Sequence, residues 1–244
     1  MVVKLGGSVV TDKSTPFTYR RETVNGLMRE VARSEFDVVI VHGGGSFGHP
    51  VARRYGLSTK VTNRGAKGVS RTREAMFRLN ALVCSSMTAA GLNPYPFAPF
   101  NLLTWTKRLA RRWISALLEA GLIPLTFGDV VPEGGGFKIL SGDTIVFELC
   151  RLINPKRCIF ALDAEGVYDE HRIVIPTLTI ESIGRLKTGR PNDTTGGIGL
   201  KLREAARIAA LGIPVSFVSG DRPIEFSKSL RGLRFHGTII QGHT

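Results

Sequence analysis

Apolar positions along this chain come in two patterns. Short continuous runs alternate with longer stretches in which apolar residues recur every three or four positions. Val2–Leu5 reads as a strand, and so does Asp37–Val41, whose unbroken Val and Ile run suits a strand buried on both faces. Leu122–Phe127, Arg157–Leu162 and Val215–Val218 have the same character, and Tyr95–Phe100 is a further strand expectation. Helical periodicity covers Thr23–Arg33, Ser46–Tyr55, Ser70–Ala90, Lys107–Ala120, Asp143–Leu152 and Leu200–Leu211, with Gly121 placed as a C-terminal cap. Val130–Leu140, with Gly134-Gly135-Gly136 in its middle, predicts a hairpin. Strands that alternate with helices predict an α/β chain with a mostly parallel sheet and right-handed crossovers. Ligands of such sheets sit at the carboxyl ends of the strands, which is where the glycines and lysines of this chain cluster.

Composition narrows the class without choosing a function. The 244 residues allow one large domain or two tightly joined halves. The apolar and charged fractions, 43% and 22%, exclude wholesale disorder. No apolar run approaches the roughly 18 residues of a membrane-spanning helix. The chain opens directly on a strand, with no room for a secretion signal. Cys84, Cys150 and Cys158 lack metal-type spacing and read as reduced thiols, so a cytoplasmic location is expected. A net charge of +13 favours anionic partners: nucleic acid, an acidic membrane or phosphorylated small molecules. A solvated basic face accounts for the charge equally well.

The candidate chemistry begins at the strand ends. Gly6-Gly7-Ser8 follows the first strand and Gly43-Gly44-Gly45-Ser46 the second. Gly-rich turns before helices let backbone N–H groups approach an anion, and a helix N-terminus adds partial positive charge. Gly43-x-Gly45-x-x-Gly48 also matches a dinucleotide fingerprint, but residues 49–73 hold no Asp or Glu for a ribose hydroxyl. Gly44-x-Ser46-x-Gly48 matches a nucleophile elbow, a reading that leaves the lysines unexplained. The Walker pattern is absent. Lys4 lies on a buried strand, a rare place for a lysine unless it is paired or working. With Lys13 and Lys201, it could neutralise a triphosphate and the charge of a transferring phosphoryl group. Asp143 could cap the helix it opens or hold the lysines, and Asp163 ends another apolar strand, facing a ligand or a turn. His49, beside the second Gly-rich turn, could donate an N–H to a phosphate oxygen.

Taken in order, Lys4-Leu5-Gly6-Gly7-Ser8, His42-Gly43-Gly44-Gly45, Ser141-Gly142-Asp143, Asp163-Ala164-Glu165-Gly166-Val167-Tyr168 and Thr195-Gly196-Gly197 with Lys201 resemble the amino-acid kinase superfamily over nearly the whole chain. Within it, Ser46-Phe47-Gly48-His49-Pro50, Thr11-Asp12-Lys13 and Phe235–Ile240 resemble the isopentenyl phosphate kinases. The resemblance implies a three-layer αβα sandwich. It implies a single domain over residues 1–244, whose N-terminal part, about 1–150, binds the phosphoryl acceptor and whose C-terminal part, about 151–244, binds ATP with Mg²⁺. It also implies a homodimer, isopentenyl phosphate as acceptor, and neither a specific nucleic acid nor a membrane as partner. By motif, Lys4, Leu5, Gly6, Gly7 and Ser8 would face the ATP phosphates, and Lys13 would stabilise the transition state. Gly44 and Gly142 would line the acceptor phosphate held by His49. Gly45, Asp163, Gly197 and Lys201 would contact nucleotide, Asp143 would orient the lysines, and no protein-bound metal site is expected. Ala164-Glu165 departs from the Val-Asp common in the family at that place. Rival readings are a sister kinase acting on fosfomycin or a carboxylate, a nucleic-acid binder, and an inactive nucleotide sensor.

Overall fold

The computed structural model describes residues 1–58, 65–185 and 197–242. In chain order the elements are β1 (Val2–Leu5), α1 (Gly7–Val10), α2 (Arg21–Ser34), β2 (Val39–His42), α3 (Gly45–Arg54), α4 (Ala66–Ala89), β3 (Pro94–Pro96), α5 (Lys107–Glu119), β4 (Ile123–Phe127), β5 (Asp129–Glu133), β6 (Gly136–Leu140), α6 (Gly142–Ile153), β7 (Cys158–Leu162), β8 (Thr177–Thr179), α7 (Ile180–Arg185), α8 (Gly197–Ala209), β9 (Val215–Ser219), α9 (Pro223–Arg231) and β10 (Gly237–Gln241). The main sheet runs β3-β4-β2-β1-β7-β9-β10-β8. Its first six strands are parallel; β10 runs antiparallel to β9, and β8 is parallel to β10. Among the described residues no helix is long and apolar enough to cross a membrane.

Alternation along β1 shows how the layers form. Val2 packs with Ala110, Ile114, Ile145 and Leu202, which come from α5, α6 and α8. Val3 and Leu5 point the other way, to Val24, Leu79 and Phe226 on α2, α4 and α9. Side chains of a strand alternate between faces, so one sheet buries two cores and the chain is an αβα sandwich. Lys4 shares a face with Val2, and an apolar position is thereby given to a charge that meets α6.

Three local outcomes differ from the sequence expectation or sharpen it. Only Pro94–Pro96 of the expected Tyr95–Phe100 strand pairs, and a 3₁₀ turn begins at Pro99. Pro94 and Pro96 lack N–H donors, so β3 can only be an edge strand. The hairpin forms as expected, with Gly134 and Gly135 both at positive φ, 56° and 78°, the conformation a two-residue hairpin turn requires. The chain after the first Gly-rich turn forms only a single helical turn, α1, before Thr11 leaves it extended.

Candidate active site

The carboxyl ends of β1, β2 and β7 open into a cavity of about 770 Å³. Two glycine turns form its floor, and they touch backbone to backbone. A Cβ on Gly7 would lie 2.6 Å from the Gly45 nitrogen, and one on Gly43 would lie 2.7 Å from the Gly7 nitrogen. Gly45 has φ +46°, and a Cβ there would meet the Thr11 hydroxyl at 1.9 Å. Thr11 holds the two turns together: its Oγ1 donates to the Gly7 carbonyl at 2.7 Å and accepts from the Ser46 N–H at 2.8 Å. In the sequence Thr11 stands only within Thr11-Asp12-Lys13; a hydroxyl three residues after Gly6-Gly7-Ser8, following Val9-Val10, is the signal that points to it.

The cationic wall is organised by one carboxylate. Ser141 caps α6, accepting from the Thr144 N–H at 3.1 Å, which leaves Asp143 in the first turn free to face the cavity. Asp143 pairs with Lys4 through Oδ1 and lies 3.5 Å from Lys201 Nζ through Oδ2. Burial pulls the Lys4 ammonium down to about 8, against the opposing pull of Asp143. Burial works against the Asp143 carboxylate too, but Lys4 and Lys201 more than offset it and hold its pKa below the usual range. The cluster thus presents two lysines around one carboxylate, a net positive surface fixed from β1, α6 and α8.

Lys13 reaches across the cavity mouth to Asp163, 2.9 Å away, and both are exposed. Burial pushes the Asp163 carboxyl up, and Lys13 reverses the shift to a net lowering. His49 stands on α3, half-buried in the cavity wall. Burial lowers its pKa first, and Lys201, Arg53 and Lys4 lower it further, so the free protein holds a neutral imidazole at pH 7.

The cavity brings together nearly all the residues singled out in the sequence. Lys4, Gly6, Gly7, Ser8 and Lys13 line it from the first loop, and Gly44, Gly45 and His49 from the second. Gly142, Asp143, Asp163 and Lys201 line it from the remaining elements. Leu5 does not line it; its side chain is fully buried in the core beneath. Gly197 opens α8, and Thr195-Gly196 lies outside the described residues. The side chains of Ala52, Leu57, Met76, Val130, Ile139 and Leu140 form an apolar part of the cavity wall, with Arg53, Ser58, Thr72 and Asp129 also in the lining. Of the α4 side chains Val69, Met76 and Phe77, Met76 lines the cavity. Val69 packs into a small satellite core with Ala52, Leu57 and Val130, and Phe77 packs edge-on against Phe127. Among the described residues no group of three or more His, Cys, Asp or Glu side chains could hold a metal ion.

A cavity lined by lysines, glycine turns and apolar side chains at the strand ends of an αβα sandwich defines a small-molecule phosphotransferase. Residues 1–219 match the Amino acid kinase family, and the chain belongs to it. The chain is 29% identical to isopentenyl phosphate kinase of Thermoplasma acidophilum, covering 99% of this chain and 100% of that protein. It is 32% identical to isopentenyl phosphate kinase of Haloferax volcanii, covering 99% and 98%. The crystal structure of an isopentenyl phosphate kinase substrate complex superposes with a TM-score of 0.80 at 27% identity, covering 99% of this chain and 100% of that one. The Thermoplasma acidophilum product complex gives a TM-score of 0.79 at 28% identity, covering 99% of each chain.

Proposed function

We propose that this protein transfers the γ-phosphoryl group of ATP to isopentenyl phosphate, giving isopentenyl diphosphate and ADP. The observation that carries the reading is one cavity that holds both His49 with the lysine cluster and the apolar side chains of Ala52, Leu57, Met76, Val130, Ile139 and Leu140. A phosphate monoester has a second pKa near 6, so its attacking oxygen is already anionic at neutral pH and needs no general base. The barrier lies in bringing two anions together. Lys4, Lys201 and the N–H groups of Gly7 and Ser8 would take the triphosphate and the developing charge, while the Gly6 N–H donates to the Ala161 carbonyl at 2.9 Å and holds the turn to β7. Lys13 would close over the transferring group, exchanging Asp163 for phosphate oxygens. His49, neutral in the free protein, would donate one N–H to the acceptor phosphate, which rests on Gly44 and Gly142. The apolar wall would take the five-carbon tail.

In this reading the acceptor belongs to the N-terminal part, about 1–150, and the nucleotide to the C-terminal part, about 151–244, with Asp163 and Gly197 beside it. Mg²⁺ would ride on the nucleotide phosphates, because Asp143 and Asp163 both already face lysines. The ion supplies charge neutralisation of the triphosphate when bound. A homodimer in the cytoplasm completes the proposal. The deciding experiment is ATP turnover against isopentenyl phosphate, dimethylallyl phosphate, fosfomycin, acetylglutamate, glutamate and UMP. Isopentenyl phosphate should give the highest kcat/KM; a carboxylate or UMP in first place would overturn the assignment.

A further inference from the structure

The β5–β6 hairpin stands outside the eight-stranded sheet, so no sheet ladder fixes where it sits and contacts at its edges must do so. It supplies Val130, Ile139 and Leu140 to the apolar wall of the cavity. Its first residue, Asp129, lines the same cavity and is only 3% exposed. A buried carboxylate beside a pocket for anions is unfavourable unless a cation holds it. That cation is Arg73 on α4, whose Nε lies 3.2 Å from both Asp129 oxygens. Asp129 Oδ1 also accepts the Val130 N–H at 2.8 Å, which ties the carboxylate to its own strand. Arg73 is steadied in turn over the Phe77 ring, 5.5 Å from its centroid, and Phe77 rests on Phe127 at the end of β4. A second tie, from the Ile139 N–H to the Ser58 carbonyl at 2.8 Å, holds the other strand of the hairpin to the chain after α3.

We propose that the Arg73–Asp129 pair is a positioning latch. It fixes the hairpin against α4 and so sets the depth of the apolar wall and the length of acceptor tail the cavity admits. This rests on the reading of the acceptor as isopentenyl phosphate. Neither residue touches the reacting atoms; both act through Val130, Ile139 and Leu140. An ion pair with a purely structural role would change stability and leave acceptor discrimination alone.

The test uses the full chain and compares Arg73→Gln, Arg73→Lys and Asp129→Asn with the native protein. Arg73→Gln should raise KM for isopentenyl phosphate roughly tenfold with kcat within about threefold and KM for ATP unchanged. The ratio of kcat/KM for geranyl phosphate to that for isopentenyl phosphate should rise at least about fivefold. Arg73→Lys, which keeps the charge, should recover most of both effects. Asp129→Asn keeps an oxygen for the Val130 N–H and provides the second measurement if Arg73→Gln does not fold. Folded variants with native acceptor KM and a native ratio overturn the latch, as does an ATP KM that shifts as much as the acceptor KM. A native chain that turns over no isopentenyl phosphate overturns the functional reading and the latch together. Native turnover with an unchanged ratio overturns the latch alone.

Discussion

Two histidines flank the second glycine turn and do opposite work. His49 faces the cavity, where a neutral imidazole can give one N–H to a phosphate oxygen. Removing such a bond from a transition state costs about 2–4 kcal/mol, so His49→Ala should lose roughly 30- to 1,000-fold in kcat/KM while staying folded. Near-native kcat/KM in that variant would remove His49 from the mechanism. His42 is fully buried at the end of β2, stacked on Phe127 and bonded to the Gly43 carbonyl at 3.1 Å and the Asn80 amide at 3.2 Å. Burial drives its pKa down to about 4, from an ordinary 6.5. Between those values the unfolded chain takes up a proton that the folded chain refuses. Stability therefore falls as pH drops through about 6.5 and levels off near 4. The slope approaches about 1.4 kcal/mol per pH unit and the total roughly 3 kcal/mol. His49 is lowered as well and adds to the loss with the same sign. Urea unfolding at pH 7.0 and 4.5 should show a smaller difference for His42→Asn than for the native chain; equal differences would mean that His42 does not carry the acid sensitivity.

At the scale of elements, the cavity depends on two loops that lie too close for side chains. The glycines of β1–α1 and β2–α3 were readable in the sequence as anion-binding turns. Their contact with each other was not, because it depends on β1 and β2 being neighbours in register, Leu5 opposite His42. Thr11 joins the two loops with a single hydroxyl. Thr11→Val keeps the shape and leaves the buried Ser46 N–H without its acceptor, at a cost of about 1–3 kcal/mol. The variant should unfold at lower temperature and show a weakened KM for ATP; an unchanged melting temperature would mean the loops hold without it. Long runs of apolar spacing mark helices to within a few residues, as in α4 and α6. The short elements β8, α7, α9 and β10 are not legible in the sequence, since three to nine residues carry too little periodicity to separate from loops. Asp143 is one of two capping candidates in the sequence; Ser141 performs that task, and this is what releases Asp143 to the lysines.

For the whole molecule, the charge reading divides in two. Inside the cavity, Asp129, Asp143 and Asp163 each face a cation, so the pocket's positive excess is small and placed. Outside, α5 carries Lys107, Arg108, Arg111 and Arg112, exposed and without an ion-pair partner among the described residues. The composition registered the sum of the two and could not divide it. Motif order identified the superfamily because its residues sit at strand ends, where function fixes their identity. The strand order was less legible, because nothing local tells a strand which neighbour it will find. That order bears on how the protein is made. β8 ends at Thr179 and, among the described residues, pairs only with β10, which begins at Gly237. Synthesis runs from the N-terminus at about 5–20 residues per second, so β8 leaves the ribosome well before the strand it needs. The central strands β1, β2 and β4 can assemble while translation continues. The β8 edge must wait, and a ribosome that stalls in α9 would hold a chain whose first sheet strands are built and whose last sheet edge is still unpaired.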